Sequence, residues 1–515
     1  MPTSDTSNQA EAELGSSGAV RSLTDPIRRS VNPFGAWLTA SILVGTLIRI
    51  PQLSHRLNEM HEFRQTQTAY VALQFARHGI DVLHTPLPVF GPEADVPMEF
   101  PLAQAMAALL IRTGIGPDAA MRIVGLAGFQ ASAILLALLV YRWHGKLTTI
   151  VVVALFEFSP FGLAWGAAAL VDFPSVAFSL GMVVGLDSWF RNRSIIGLLL
   201  GSISAWLAFF VKTTTPPAWC VLVLVSAASA YAVNRSWRRV VVGLAAGPLP
   251  GMALGLMWAR HADAIKVQNP LARYFTSAQL EDWNFGLFDQ RLNPITYAPA
   301  LIRIGLEIAG PLFLGLVFAV CGIKLAPTRF ERFRRAGWVA TSIFAPLVFL
   351  NLYFTHSYYL IAVYPALVAA VGIGIVALAR RVESDTAVIA AAATGLVVIG
   401  SAVPVYNPMQ WAMAPPPDVN AQRVKAVTRP DDRIVMLGCD WDPTILYYAD
   451  RQGLMLPDWL LPYPQRVDEV WARVDVNDYR YLFTCNIRLD LAKYLPVGHS
   501  VIPGPAPGLW RITTR

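Results

Sequence analysis

Long apolar segments alternate with short polar ones along most of this chain. The first apolar segment runs from Phe34 to Ile50, and ten more follow it. A helix needs about 20 mostly apolar residues to cross a bilayer, so the alternation predicts about eleven transmembrane helices. The ten later segments are residues 119–141, 147–163, 170–190, 195–211, 218–233, 240–258, 300–323, 338–354, 359–378 and 386–403.

Two long polar insertions interrupt the alternation. We call residues 51–118 the first insertion and residues 259–299 the second insertion. The first contains two helix-like stretches, one that ends at Gly79 and one at 102–111 that is too short to cross a bilayer. We therefore predict that these two helices lie in the membrane interface.

Arg and Lys residues indicate how the segments are oriented. The short loops on one side contain them, and those on the other side contain almost none, with Lys212 as the exception. Cytoplasmic loops of membrane proteins are enriched in these residues. The pattern predicts a cytoplasmic N-terminus, with both insertions and the C-terminus outside. Residues 1–30 lack the apolar core of a signal peptide and are predicted to be a disordered cytoplasmic tail.

A smaller domain is predicted to follow the transmembrane domain, which spans residues 31–404. Residues 415–515 have the pattern of a soluble α/β domain, with a helix, a Pro-Asp-Asp turn, a buried strand and a second helix. Cys439 and Cys485 each follow a predicted strand. They would form a disulfide if the two strands are parallel neighbours, and two separate buried thiols are the alternative.

Composition agrees with this pattern. Hydrophobic residues make up 55% of the 515 residues, charged residues make up 15%, and the mean hydropathy is +0.46. A soluble protein of this size is less apolar. The net charge of +7 comes from loops between apolar segments, so we predict contact with membrane lipids and no nucleic-acid partner. The predicted fold class is an α-helical polytopic membrane protein with a C-terminal soluble α/β domain.

A polar stretch directly after the first apolar segment contains several groups that could do chemistry. Glu59, His61, Glu62 and Arg64 lie close together in it. Gln65 lies one helical turn beyond His61 on the same face, which makes it a candidate for substrate binding. This stretch could activate a substrate at the membrane edge, or it could be a solvated helix with a few salt bridges.

Seven motifs are spread along nearly the whole chain. They are HEFRQTQTA at 61–69, MEFPL at 98–102, MRIVGL at 121–126, VDFPS at 171–175, FFVKTTTP at 209–216, HSYYLIAVYP at 356–365 and GCDWDPTILYYADRQG at 438–453. In their order, these motifs resemble the GT-C superfamily of membrane glycosyltransferases. They are more closely similar to the bacterial branch related to protein O-mannosyltransferases, which includes lipid A aminoarabinose transferases and rhizobial galacturonosyl transferases. The resemblance implies transfer of a sugar, with inversion, from a polyprenyl phosphate to a hydroxyl of a lipid, glycan or protein.

The resemblance also implies roles for the acidic residues. Family members place an Asp-Glu pair where this chain has His61-Glu62, so Glu62 is left as the carboxylate that acts on the acceptor, with Glu59 in reserve. A carboxylate at a dry membrane edge has a raised pKa, which suits a base. The alternative for Glu62 is a carboxylate that only satisfies the helix dipole. Glu99 would hold the acceptor or a metal, or would simply start a helix.

Cations are expected on the departing phosphate. Arg64, Arg122 and Lys212 lie at the predicted outer face, although interface anchoring also explains each of them. At the same face, His356 beside Tyr358 could contact phosphate or sugar, but an aromatic belt alone would place tyrosines there.

Asp172 begins a predicted span near the outer face. An ionisable residue is costly there without a role, so Asp172 is a further candidate for substrate binding.

Signals for cofactors are few. The sequence has no regular spacing of metal ligands, although His61, Glu62 and Glu99 could bind a divalent cation. It has no glycine-rich loop for nucleotide phosphates, which agrees with a lipid-linked donor.

A transporter or lipid flippase is the rival interpretation. The charged residues lie at the predicted membrane faces rather than at mid-membrane, where transporters bind their substrates. A non-catalytic scaffold would leave the acidic residues of the first insertion unexplained.

Overall fold

Apolar helices form most of the structure, as the hydropathy pattern predicts. The computed structural model describes residues 33–91, 94–309, 313–381, 395, 416, 418–485 and 489–514. The helices before the C-terminal domain are α1 (Pro33–Arg49), α2 (Glu62–His78), α3 (Leu102–Arg112), α4 (Pro117–His144), α5 (Lys146–Phe158), α6 (Pro160–Trp165), α7 (Asp172–Asn192), α8 (Ile195–Val211), α9 (Pro216–Asn234), α10 (Trp237–Ala246), α11 (Pro248–Lys266), α12 (Glu281–Phe285), α13 (Phe288–Leu292), α14 (Ala298–Arg303), α15 (Leu314–Lys324), α16 (Arg329–Val348), α17 (Leu350–Thr355) and α18 (Tyr364–Ala379).

Each of the first ten predicted spans contains helix, and the eleventh, 386–403, lies outside the described residues apart from residue 395. Four shorter apolar helices are Leu102–Arg112, Ile195–Val211, Leu314–Lys324 and Tyr364–Ala379. Five helical stretches of the described chain are long and apolar enough to cross a membrane. They are Phe34–Ser54, Pro117–His144, Asp172–Asn192, Pro216–Asn234 and Trp237–Lys266. The protein is therefore a multi-pass membrane protein.

Some predicted single spans are broken into two helices. The segment 147–163 divides into α5 and α6 at Ser159 and Pro160. Ser159 caps α6 by accepting a hydrogen bond from the Gly162 N–H, and proline has no N–H with which to continue α5.

Glycine allows two membrane helices to pack closely. A Cβ atom at Gly185 of α7 would lie only 2.5 Å from the backbone nitrogen of Gly201 of α8. Small residues at helix contacts let backbones approach each other in membrane proteins. The α7–α8 pair thus forms a tight unit at whose ends Asp172 and Lys212 meet.

The C-terminal domain is a five-stranded mixed sheet with helices. Its helices are α19 (Val419–Val427), α20 (Thr444–Ala449) and α21 (Pro464–Trp471), and its strands are β1 (Arg433–Leu437), β2 (Gly453–Leu456), β3 (Tyr479–Thr484), β4 (His499–Pro503) and β5 (Leu509–Thr514). The strand order is β2-β1-β3-β5-β4. Strand β1 runs parallel to β2 and β3, whereas β5 is antiparallel to β3 and β4.

A disulfide joins the ends of β1 and β3. Because the two strands are parallel neighbours, their carboxyl ends lie at the same edge of the sheet. Cys439 and Cys485 follow those ends and are bonded, with a Cα–Cα distance of 5.1 Å. Of the two alternatives left by the sequence, the structure has the disulfide.

The first insertion binds to the edge of this sheet. The Gly453 and Met455 N–H groups of β2 donate to the carbonyl oxygens of Pro88 and Val89, at 2.8 and 2.9 Å. The N–H of Gly91 donates back to Gly453 at 2.9 Å. An open strand edge would be prone to pair with another chain, and here the first insertion covers it.

Side chains reinforce this contact. The Arg77 guanidinium of α2 donates to both carboxylate oxygens of Asp450, at 2.8 and 3.1 Å. The hydroxyls of Tyr447 and Tyr448 donate to Asp118, at 2.5 and 2.9 Å. The C-terminal domain is therefore attached to the same insertion that contains the candidate catalytic residues.

Removing the disulfide should destabilise the protein. The bond closes a chain segment with a sequence separation of 46, and loss of a native disulfide costs about 2–5 kcal/mol. Cys485→Ser is therefore expected to lower the melting temperature of the detergent-purified protein. Cys220→Ser, which removes a free thiol, is the matched control. An unchanged melting temperature in Cys485→Ser would contradict the expectation.

Candidate active site

The candidate site forms where α2 begins. His61 precedes α2 with a φ of 53°, a left-handed conformation that few residues other than glycine adopt. Its ring centroid lies 5.2 Å from that of His356, 5.0 Å from Tyr358 and 5.8 Å from Trp165. Its Nε2 atom is 3.3 Å from the Ser357 hydroxyl. The structure thus brings His61 together with His356 and Tyr358, which lie almost 300 positions later in the sequence.

The environment of the two histidines disfavours their charged form. Burial lowers the pKa of His61, and the charge of Arg303 lowers it further. Burial lowers the pKa of His356 to about 4, with added effects of His61, Arg303, Arg64 and Lys212. A neutral imidazole can donate one hydrogen bond but brings no positive charge to a phosphate.

Glu62, the first residue of α2, faces the C-terminal domain. Its side chain is half-buried, and burial raises its pKa to about 7, with further contributions from the charges of Asp442 and Asp418 and from a hydrogen bond with Asp442. A carboxyl group with this pKa exchanges a proton near neutral pH, which is the property a general base requires.

Asp442 is a residue of this site that the sequence reasoning missed. It lies between β1 and α20, and the Thr444 N–H and hydroxyl both donate to its Oδ1 atom, at 2.9 and 2.5 Å. The Thr444 hydroxyl oxygen is also 3.1 Å from that of Thr66 on α2. The only signal in the sequence was the position of Asp442 just beyond the carboxyl end of a buried strand, where sites often form.

The three predicted cations are each bound to a carboxylate. Arg64 donates to Glu99 and to Gln67. Lys212 is buried and its Nζ lies 2.7 Å from Asp172. The structure therefore joins residues that were predicted independently of one another into ion pairs.

The third cation, Arg122, is engaged with the first insertion. It donates to Glu59 at 2.6 Å and to the carbonyl oxygens of His55, Arg56 and Ala167. Arg122 is buried, so its donors hold the backbone that leads into α2.

Gln65 has a similar anchoring function. Its side-chain oxygen accepts a hydrogen bond from the Ala169 N–H at 2.9 Å, and its nitrogen donates to the Met60 carbonyl at 3.0 Å. Both polar ends are thus bonded to backbone, which positions α2 against the segment before α7.

Aromatic rings and a further cation surround the histidines. The Lys212 Nζ lies 5.3 and 4.9 Å from the ring centroids of Tyr358 and Tyr359, a cation–π geometry. Arg303 of α14 donates to the carbonyl oxygens of Tyr353 and Thr355, both at 3.3 Å. Sequence reasoning missed Arg303, although an arginine inside a predicted span is itself a signal of function.

The candidate ligands for a divalent cation are not assembled in this structure. Glu99 binds Arg64 rather than facing His61 and Glu62. Within the described part of the chain, no three His, Cys, Asp or Glu residues are grouped to hold a metal ion.

Comparison with known proteins identifies the fold. No protein-family model and no curated protein matches the sequence. The structure is similar to ArnT from Cupriavidus metallidurans bound to undecaprenyl phosphate, with a TM-score of 0.60, 13% identity, and coverage of 93% of this chain and 98% of that chain. It is also similar to the oligosaccharyltransferase AglB from Archaeoglobus fulgidus in complex with an inhibitory peptide and a dolichol-phosphate, with a TM-score of 0.52, 12% identity, and coverage of 88% and 69%.

A third similar structure is the arabinofuranosyltransferase AftD from Mycobacteria, with a TM-score of 0.51, 15% identity, and coverage of 87% of this chain and 36% of that chain. The chain therefore has the GT-C fold of membrane glycosyltransferases. At these identities the likeness shows the fold alone.

Lys212→Met should destabilise the protein, because Asp172 would be left buried without its cation. Breaking one partner of a buried ion pair costs about 3–5 kcal/mol. We expect a lower melting temperature in detergent, with most of the loss recovered in the double variant Lys212→Met/Asp172→Asn, which removes both charges. A single variant as stable as the wild type would refute the structural importance of the pair.

Proposed function

We propose that this protein is an integral membrane glycosyltransferase that transfers a sugar from a polyprenyl-phosphate donor to an acceptor hydroxyl on the extracytoplasmic face. The observation that carries the proposal is a half-buried carboxyl group, Glu62, with a pKa of about 7 inside a GT-C fold. The distribution of Arg and Lys supports the extracytoplasmic orientation.

The donor class is supported by the similar structures. ArnT is bound to undecaprenyl phosphate and AglB to a dolichol-phosphate, which are both polyprenyl phosphates. The same likeness in fold favours glycosyl transfer over a transporter or flippase. The acceptor is a hydroxyl of a lipid, glycan or protein.

Glu62 would act as the general base. The acceptor oxygen forms a bond to the anomeric carbon and gives its proton to the Glu62 carboxylate. The bond between the anomeric carbon and the phosphate oxygen breaks, and its electron pair leaves with the phosphate. The anomeric carbon is inverted because the acceptor attacks opposite the leaving group.

The cations around His356 would stabilise the departing phosphate. Arg64, Lys212 and Arg303 all act electrostatically on this histidine, so a phosphate beside it would experience the same positive field. A phosphate oxygen could exchange with Glu99 as the acceptor for Arg64, because guanidinium groups bind both anions. The neutral His356 would add a hydrogen bond.

Transfer should depend on Glu62. Radiolabelled polyprenyl-phosphate sugars are offered as a panel with membrane acceptors, and the wild type is expected to transfer at least one sugar. Glu62→Gln should reduce the rate by about 100-fold or more, because a general base contributes about 10²–10⁴-fold. Glu281→Gln, at an exposed residue of the second insertion, is the matched control.

The possible outcomes separate the assignments. Absence of transfer by the wild type with every donor would overturn the proposed function. If Glu62→Gln transfers sugar at the wild-type rate, the proposed function is not contradicted, but the general base is Glu59 or Glu99 instead of Glu62.

The rate should also depend on pH. Glu62 accepts a proton only when ionised, and its pKa of about 7 means that the protonated form dominates below that pH. The kcat/KM is therefore expected to rise as the pH increases through about 7 and to fall about tenfold per unit on the acid side. A profile that is flat from pH ~5.5 to ~8.5 would contradict the role of Glu62 as base.

A further inference from the structure

We propose that Asp442 of the C-terminal domain is a positioning residue for Glu62, so that the two ends of the chain build one carboxylate pair. The proposal rests on the function proposed above. The Thr66 hydroxyl of α2 and the Thr444 hydroxyl beside Asp442 are 3.1 Å apart, so the loop after β1 packs against the first turn of α2. At this contact the carboxyl groups of Glu62 and Asp442 are hydrogen-bond partners. Asp442 acts through Glu62 and does not itself touch the reacting atoms.

Asp442 is held in a fixed position relative to α2. Its Oδ1 atom accepts the two hydrogen bonds from Thr444, and the Thr444 hydroxyl lies 3.1 Å from Thr66. Thr66 is one turn beyond Glu62 and donates to the Glu62 carbonyl at 2.8 Å. The contact between Thr66 and Thr444 therefore holds the loop that contains Asp442 against the first turn of α2.

The loop that contains Asp442 is fixed on its other side as well. The disulfide of Cys439 anchors it to β3. The ring of Trp441 lies 4.4 Å from that of Phe275 in the second insertion and 6.1 Å from Phe63 of α2. Catalytic groups require such support, because a displacement of about 1 Å is enough to weaken a site.

Burial and hydrogen bonding act on Asp442 in opposite directions. Burial raises the pKa of Asp442, and the two hydrogen bonds from Thr444, which stabilise its ionised form, offset part of this increase. Burial also raises the pKa of Glu62, and the charge of Asp442 raises it further. The negative charge of Asp442 beside Glu62 therefore makes Glu62 a stronger base.

Other charged groups near Glu62 act differently. Asp418 faces it from the C-terminal domain and adds to the effect of Asp442, while His61 and Arg64 are on its own helix segment. The cations Arg64, Lys212 and Arg303 instead lower the pKa of His356. The site is thus divided into an acidic side, where the acceptor would lose its proton, and a basic side, where the phosphate would leave.

The test compares pH profiles of transfer for the wild type and Asp442→Asn. Asparagine has the same shape and can still accept the Thr444 hydrogen bonds, so the loop should be preserved. The midpoint of kcat/KM is expected to move to lower pH, though not to the ordinary value of a glutamate, because burial remains the largest cause. The plateau rate should fall by up to about tenfold, since Glu62 becomes a weaker base.

Two further variants complete the comparison. Asp440→Asn removes an exposed carboxylate from the same loop and should leave the profile unchanged. Asp442→Glu restores a carboxylate and should return the midpoint towards that of the wild type. A midpoint equal to that of the wild type in Asp442→Asn, including a uniform loss of rate at every pH, would overturn the role of Asp442.

An infrared titration of the purified protein follows the same proton without catalysis. The protonated-carboxyl band that Glu62→Gln removes should titrate at lower pH in Asp442→Asn than in the wild type, and an unshifted band would overturn the proposal. Absence of transfer by the wild type would instead overturn the function, and the infrared result would still decide whether the two carboxyl groups are coupled.

Discussion

Charges buried at the edge of a membrane domain must be paired, and this constraint organises the site. Transfer of an isolated charge out of water is so costly that each cation binds an anion or several carbonyl groups. Lys212 and Asp172 join the ends of α8 and α7. Arg64 joins α2 to the segment before α3 through Glu99. The Arg64–Glu99 pair positions α2, and Glu62 at its start faces carboxylates rather than a cation. Burial is the main cause that raises the pKa of Glu62 to about 7, and the charges of Asp442 and Asp418 add to it.

The proposed phosphate and acceptor sides of the site share α2. Arg64 is one of the cations that act electrostatically on His356, and Glu62, two positions earlier, faces Asp442. The left-handed backbone at His61 turns the chain into α2 at this point, so one bend sets the direction of both groups. The first insertion is therefore the common support of two surfaces, the membrane helices on one side and the C-terminal sheet on the other.

Local patterns in the sequence predicted most of the helices and the two strands that precede Cys439 and Cys485, because hydropathy is a property of neighbouring residues. The parallel pairing of those strands, and with it the disulfide, was left open. The pairing of Lys212 with Asp172 was not predictable in this way, since each residue was judged by itself. Asp442 was missed for the same reason, as it meets Glu62 only after the whole chain has folded. Strand β2 and its contact with residues 88–91 were also missed. These short segments show no alternation of apolar and polar residues, and each pairs with a segment that is distant in the sequence.

The contact between residues 88–91 and β2 has a consequence for biosynthesis. The ribosome makes these residues long before Gly453, so in a nascent chain their carbonyl groups have to remain hydrated while the remaining spans are inserted. The contact forms only after the C-terminal domain has reached the same side of the bilayer as residues 88–91. Its formation completes the surroundings of Glu62. A polypeptide whose synthesis stops before Gly453, or whose C-terminal domain remains on the opposite side of the membrane, would contain the membrane helices. It would still lack the complete surroundings of Glu62.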